Sequence, residues 1–135
     1  MRSARFILAI AFALLATAFV GCDDDDSPSN PGGANPAEIT IEIAEGSSVP
    51  GCEEDNTCYS PHEASIRPGG EVSWFNADAT AHTITSGTPG DGPTGAFDSS
   101  LLLAGRTYTI ELETAGTYPY FCMVHPWMTG TIIVE

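Results

Sequence analysis

Apolar and polar residues alternate along most of the second half of the chain, and that period of two marks half-buried strands. Glu38-Ile39-Thr40-Ile41-Glu42-Ile43 is the first such run. Ala64-Ser65-Ile66 leads through the turn Arg67-Pro68-Gly69-Gly70 into a second strong strand, Glu71-Val72-Ser73-Trp74-Phe75-Asn76. Further strands are expected at Ala81-His82-Thr83-Ile84-Thr85 and at residues 106–112. Ala115-Gly116 then turns the chain into Thr117-Tyr118-Pro119-Tyr120-Phe121-Cys122, and the last strand is Thr129-Gly130-Thr131-Ile132-Ile133-Val134. Residues 86–95 carry so many glycines and prolines that they are expected to be a loop. Residues 99–104 are expected to offer at most one short helical turn, and no segment carries a helical stripe. Many short strands parted by turn signals over about 100 residues predict an all-β fold, a two-sheet β-sandwich.

The start of the chain reads differently. Arg2 and Arg5 precede an uncharged apolar run of fifteen residues, 6–20, shorter than the roughly 20 a membrane-spanning helix needs. Gly21-Cys22 and four consecutive aspartates follow. This is the pattern of a secretory signal over residues 1–21. Phe19-Val20-Gly21-Cys22 resembles a lipobox, in which Cys22 becomes the lipidated first residue; an uncleaved anchor helix is the alternative. Residues 22–37, rich in Asp, Ser, Asn, Pro and Gly, read as a flexible acidic linker. Residues 38–135 are long enough for one domain with one core. The expected location is extracytoplasmic, with the domain held to a membrane only through Cys22.

Charge narrows the partners. The chain has no lysine, and from Cys22 onward Arg67 and Arg106 face all eighteen acidic residues. Such a surface repels nucleic acid and anionic lipid and steers basic partners at low salt; adaptation to a salty habitat would produce the same composition. Of the four cysteines, Cys22 is assigned to lipid. Cys52 and Cys58 flank a five-residue acidic loop and are expected to form a disulfide in an oxidising compartment. Cys122 is left unpaired.

Cys122 stands in Tyr120-Phe121-Cys122-Met123-Val124-His125-Pro126-Trp127-Met128, with His82 some forty residues upstream. Two imidazoles, a thiolate and a thioether are the donors of a mononuclear blue-copper centre, which serves electron transfer. A free buried cysteine is the bland alternative. A mixed zinc site is disfavoured, because thioether is a poor zinc donor and structural zinc prefers closed sets of Cys and His. His62 reads as an exposed loop residue with no function, a second metal site being the alternative; Met123 reads as a residue whose side chain points away from the site, and Asp91 and Asp98 fit no calcium loop. Pro126 and Trp127 are expected to form an apolar rim around His125.

The segment Cys122-Met123-Val124-His125-Pro126-Trp127-Met128-Thr129-Gly130 resembles the ligand loop of the cupredoxins, among them amicyanins and plastocyanin-like proteins with a short loop. The resemblance extends over the domain from Glu38 onward. It implies a Greek-key β-sandwich holding one type 1 copper through His82, Cys122, His125 and Met128. It also implies a monomeric one-electron carrier, not an enzyme, that shuttles between extracytoplasmic redox proteins through transient contacts. Copper storage, delivery or sensing is the alternative, against which the paucity of methionine counts. Catalytic copper chemistry would need more than three histidines, and a dinuclear centre a second loop cysteine. Two positions depart from the family pattern. Thr83 replaces the Asn that often follows the first ligand histidine, and Val124, which keeps its N–H, replaces the Pro that often precedes the second.

Overall fold

The computed structural model describes residues 34–135; the expected signal segment, Cys22 and most of the linker lie outside the described residues. Nine strands form two sheets: β1 (Glu38–Ile43), β2 (Tyr59–Ser60), β3 (Glu63–Ile66), β4 (Gly70–Asn76), β5 (Thr85–Thr88), β6 (Gly92–Asp98), β7 (Thr107–Leu112), β8 (Gly116–Phe121) and β9 (Thr129–Val134). One sheet has the order β2-β1-β4-β7 and the other β3-β9-β8-β5-β6. The β1–β4 and β3–β9 pairs are parallel and the rest antiparallel. The all-β sandwich expected from the alternation is the fold observed.

Alternation works here because each strand turns one face to the core. Ile41, Ile43, Val72 and Trp74 from the first sheet meet Ile66, Tyr120, Ile132 and Val134 from the second, all buried. Each such aliphatic side chain contributes about 1.5–3 kcal/mol by leaving water. Trp74 contacts Tyr120 edge-on at 5.3 Å, and Tyr120 meets Tyr59 at 4.9 Å, so the aromatic residues knit the two layers. Gly130 faces Tyr120 in the β8–β9 register, and a Cβ there would sit 2.4 Å from the tyrosine ring. That contact explains why the ligand-loop motif ends in glycine.

Three local expectations are corrected. Residues 86–95 are not a loop: β5 and β6 pair as a hairpin with an irregularity between Thr85 and Gly87. The breakers sit where a hairpin tolerates them. Gly87 takes φ +126° and lets the Gly92 carbonyl approach, while Pro93 lies on edge strand β6, where a ladder N–H can be spared. Ser86 Oγ accepts the N–H of Phe97 at 3.0 Å across the irregularity. Second, residues 81–84 do not form a strand; His82 makes an isolated bridge with Leu102, and β5 begins only at Thr85. The Thr83 N–H is diverted to the Cys122 sulfur, out of the ladder. Third, residues 99–104 contain no helical turn. His82 N–H and Leu102 N–H bond each other's carbonyls at 3.1 and 2.8 Å, and the Asn76 side-chain amide donates to the Leu102 carbonyl at 2.9 Å. Together they pin that stretch to the His82 loop.

Cys52 and Cys58 are disulfide-bonded, as expected. Closing so short a loop is worth about 2 kcal/mol on chain-entropy grounds.

Candidate metal centre

The site sits where β4 and β8 end. His82 comes from the connection between β4 and β5, and Cys122, His125 and Met128 from the connection between β8 and β9. The second connection is a tight turn: Cys122 N–H donates to the Met128 carbonyl at 3.1 Å, and Met128 N–H to the His125 carbonyl at 2.9 Å. Two backbone bonds thus set the loop that carries three of the four proposed donors. Met128, Cys122 and His82 are fully buried, and His125 is half-buried.

His82 Nδ1, His125 Nδ1 and Cys122 Sγ converge. The two nitrogens are 3.1 Å apart and lie 3.8 and 3.7 Å from the sulfur. A point equidistant from all three lies about 2 Å from each, the usual length of a metal bond to imidazole nitrogen or thiolate sulfur. The proton inventory agrees. His82 Nε2 is 2.8 Å from Asp78 Oδ2 and donates to it, so a neutral His82 turns the Nδ1 lone pair toward the other two donors. A pair of nitrogens and a sulfur aimed at one point are suited to sharing a cation.

The surroundings favour the thiolate. Burial alone would raise the Cys122 pKa. Hydrogen bonding to His82 and from the N–H groups of Thr83, Val124 and His125 outweighs it and brings the thiol below its ordinary value. Burial would likewise lower His82, but hydrogen bonds with Cys122 and Asp78 and the charges on both raise it. His125 is lowered, first by burial and then by the neighbouring His82 charge, so it favours the unprotonated, metal-binding form.

The two departures from the family pattern now have structural counterparts. Thr83 donates its N–H to Cys122 Sγ at 3.3 Å and accepts the Met123 N–H on its hydroxyl at 2.8 Å. Val124 keeps its N–H, which helps lower the Cys122 thiol. Of the other residues weighed, Met123 is half-exposed. His62 is half-buried, not exposed as expected; its carbonyl accepts the Thr131 N–H, which pins it to β9. Asp91 bonds Thr88 and Asp98 caps the Ser100 N–H, so both serve local turns. Trp127 is half-buried and donates its indole N–H to the Ser47 carbonyl at 3.0 Å. Sequence reading missed Asp78. Its only trace is an acidic residue four positions before His82, a spacing too common to notice without the fold.

Residues 47–135 match the sequence profile of copper binding proteins of the plastocyanin/azurin family. The chain is 33% identical to amicyanin-alpha of Methylorubrum extorquens over 77 residues, covering 57% of this chain and 64% of that one. It is 31% identical to plastocyanin of Scenedesmus fuscus over 93 residues, covering 63% and 94%. The chain spans only about three fifths of the length of the amicyanins it matches. Among solved structures, a purple cupredoxin from Nitrosopumilus maritimus superposes with a TM-score of 0.65 at 30% identity, covering 72% of this chain and 99% of that one. Profile, relatives, fold and converging donors agree, and the chain belongs to the plastocyanin/azurin family of copper-binding proteins.

Proposed function

We propose that this chain is a one-electron carrier in which His82, His125, Cys122 and Met128 would hold one copper ion. The observation that carries this reading is the triangle of two Nδ1 atoms and Cys122 Sγ. Copper bound there would supply a Cu(II)/Cu(I) couple, with nitrogen donors suiting one state and sulfur donors the other. The chain's own residues keep the donors in one arrangement: the Met128–Cys122 and Met128–His125 backbone bonds, the Asp78–His82 contact and the Thr83–Met123 bond all resist rearrangement. Burial of His82, Cys122 and Met128 supports a retained metal over one stored for release.

Electrons would enter and leave at the half-buried His125. Around that end stand the exposed apolar side chains of Leu101, Leu103, Met123 and Val124, and the exposed Pro126. Such a rim suits small, short-lived contacts between monomeric redox proteins, of under about 1,200 Å² in total. The acidic remainder of the surface favours basic partners.

The domain reading of residues 38–135 behind a signal (1–21) and a linker (22–37) carries over to this function. β1 and β4 run parallel, from Glu38 beside Glu71 to Ile43 beside Asn76, and Asn76 leads into the His82 loop. Residues 35–37 therefore leave the sandwich at the end opposite the metal loops, where Pro36 and Ala37 accept the N–H groups of Arg67 and Glu71. A lipid on Cys22 would tether the domain by the end opposite His125.

The test is the absorption spectrum and voltammetry of the copper-loaded protein. An intense thiolate-to-copper band and a reversible one-electron wave are expected. A colourless Cu(II) adduct would sink the reading. Replacing Cys22 by Ser should release the protein from membranes, and retention there would exclude the lipid anchor.

A further inference from the structure

The direct ties between the two ligand loops lie on the thiolate side, where Thr83 bonds Cys122 Sγ and Met123 N–H. A second set lies on the imidazole side and passes through the connection between β1 and β2. Gly46 N–H and Ser48 N–H each donate to the Asp78 carboxylate at 3.2 Å, one to either oxygen. Between them, the Ser47 carbonyl accepts the Trp127 indole N–H at 3.0 Å. Asp78 in turn holds His82 Nε2 at 2.8 Å, and the Trp127 ring packs on His125 with centroids 5.2 Å apart. Three successive residues therefore reach both imidazoles, each through one intermediary.

That segment is itself held down. Ser47 is almost fully buried, and its hydroxyl bonds the carbonyls of Ala44 and Cys58. The Cys58 carbonyl also accepts the Ala44 N–H at 3.1 Å, and Cys58 is tied to Cys52 by the disulfide.

We propose that residues 46–48 form a clamp that fixes the two imidazoles relative to each other, with Asp78 and Trp127 as its positioning residues and the Cys52–Cys58 disulfide as its anchor. The physical need is plain. The two imidazole nitrogens are 3.1 Å apart, so one donates to the other when it carries a proton there and the two repel when neither does. In the unprotonated state, the one that binds a cation, the loops alone would let them separate. A support outside the ligands resists this, so the site stays formed before the metal enters and changes little with its charge. The consequence for the metal rests on the copper reading above; the mechanical coupling does not.

The experiment is amide and indole hydrogen exchange by NMR on the metal-free protein. Asp78→Asn removes one charged acceptor and lies across the clamp from Trp127. It should speed exchange of the Trp127 indole N–H about tenfold and leave that of the core residue Trp74 unchanged. Unchanged Trp127 exchange would overturn the clamp. If both indoles exchange freely because the variant unfolds, Trp127→Phe keeps an aromatic ring at the position and removes the indole donor. It should then speed exchange of the His82 ring N–H, and no change there would overturn the clamp equally. In copper-loaded protein, Trp127→Phe should speed copper release to a chelator about tenfold without shifting the thiolate band. Release at the wild-type rate would disprove the clamp's role in holding metal. A chain that takes up no copper would defeat the functional reading while the metal-free exchange still decided the clamp.

Discussion

The Thr83 hydroxyl accepts the Met123 N–H at 2.8 Å, binding the His82 loop to the Cys122 loop across 40 residues of sequence. Its own position is fixed by Thr85, whose hydroxyl donates to it at 3.0 Å. Threonine thus makes the loop-to-loop tie that Asn makes in many cupredoxins, with a shorter side chain. Thr83→Val keeps the shape and the N–H to sulfur but leaves the Met123 N–H without its partner. Thermal unfolding of the metal-free protein should show a loss of about 1–3 kcal/mol. A loss below a few tenths would mean that water replaces the hydroxyl.

Cys122→Ser should abolish the intense colour of the copper form, because oxygen lacks the high-lying donor orbital of thiolate sulfur. Met128→Gln should keep the metal and lower the reduction potential, since a harder axial donor favours Cu(II). An intensely coloured Cys122→Ser protein would refute the ligand set, and a raised potential in Met128→Gln would refute Met128 as a donor.

The Val124 N–H helps hold the Cys122 thiol below its ordinary value, and a donor of that kind draws electron density from the sulfur. Val124→Pro deletes the donor and touches no ligand. Voltammetry should show the potential falling by some tens of millivolts, where about 59 mV is tenfold for one electron. An unchanged or raised potential with an intact spectrum would show that this N–H is not felt by the metal.

Asp78 ties stability to pH. Burial alone would raise its pKa, but bonds from His82, Gly46, Ala79 and Ser48 bring it from the ordinary 3.8 to about 2. A carboxylate whose folded value is depressed adds stability above its unfolded pKa and loses it as pH falls through the folded one. Metal-free protein should therefore lose stability from about pH 4 down to about pH 2, and Asp78→Asn should flatten that slope. Parallel denaturation curves for the two proteins across this range would contradict the assignment.

Electron exchange with a small cationic complex should slow as ionic strength rises, because two arginines are set against eighteen acidic residues from Cys22 onward. Stopped-flow rates independent of salt would remove steering from the functional proposal.

Strands whose two faces differ in solvent exposure were legible from the chain alone: β1 begins and ends where the alternation does, and β4 and β9 follow it within a residue. Three of the proposed donors were legible for a different reason. They share one seven-residue loop, so their spacing already encodes their proximity. The β5–β6 hairpin was hidden because Gly87 and Pro93 read as breakers until the edge position of β6 makes them acceptable. His82 looked like part of a strand because the diversion of the Thr83 N–H to a sulfur 39 residues away is not a local property. The contacts of Asp78 and Trp127 were out of reach for the same reason, the one meeting Gly46 across 32 residues and the other Ser47 across 80. Periodicity and donor chemistry are carried by neighbours along the chain. The supports that aim the donors are single hydrogen bonds between distant segments, and only the packing of the two sheets brings those segments together.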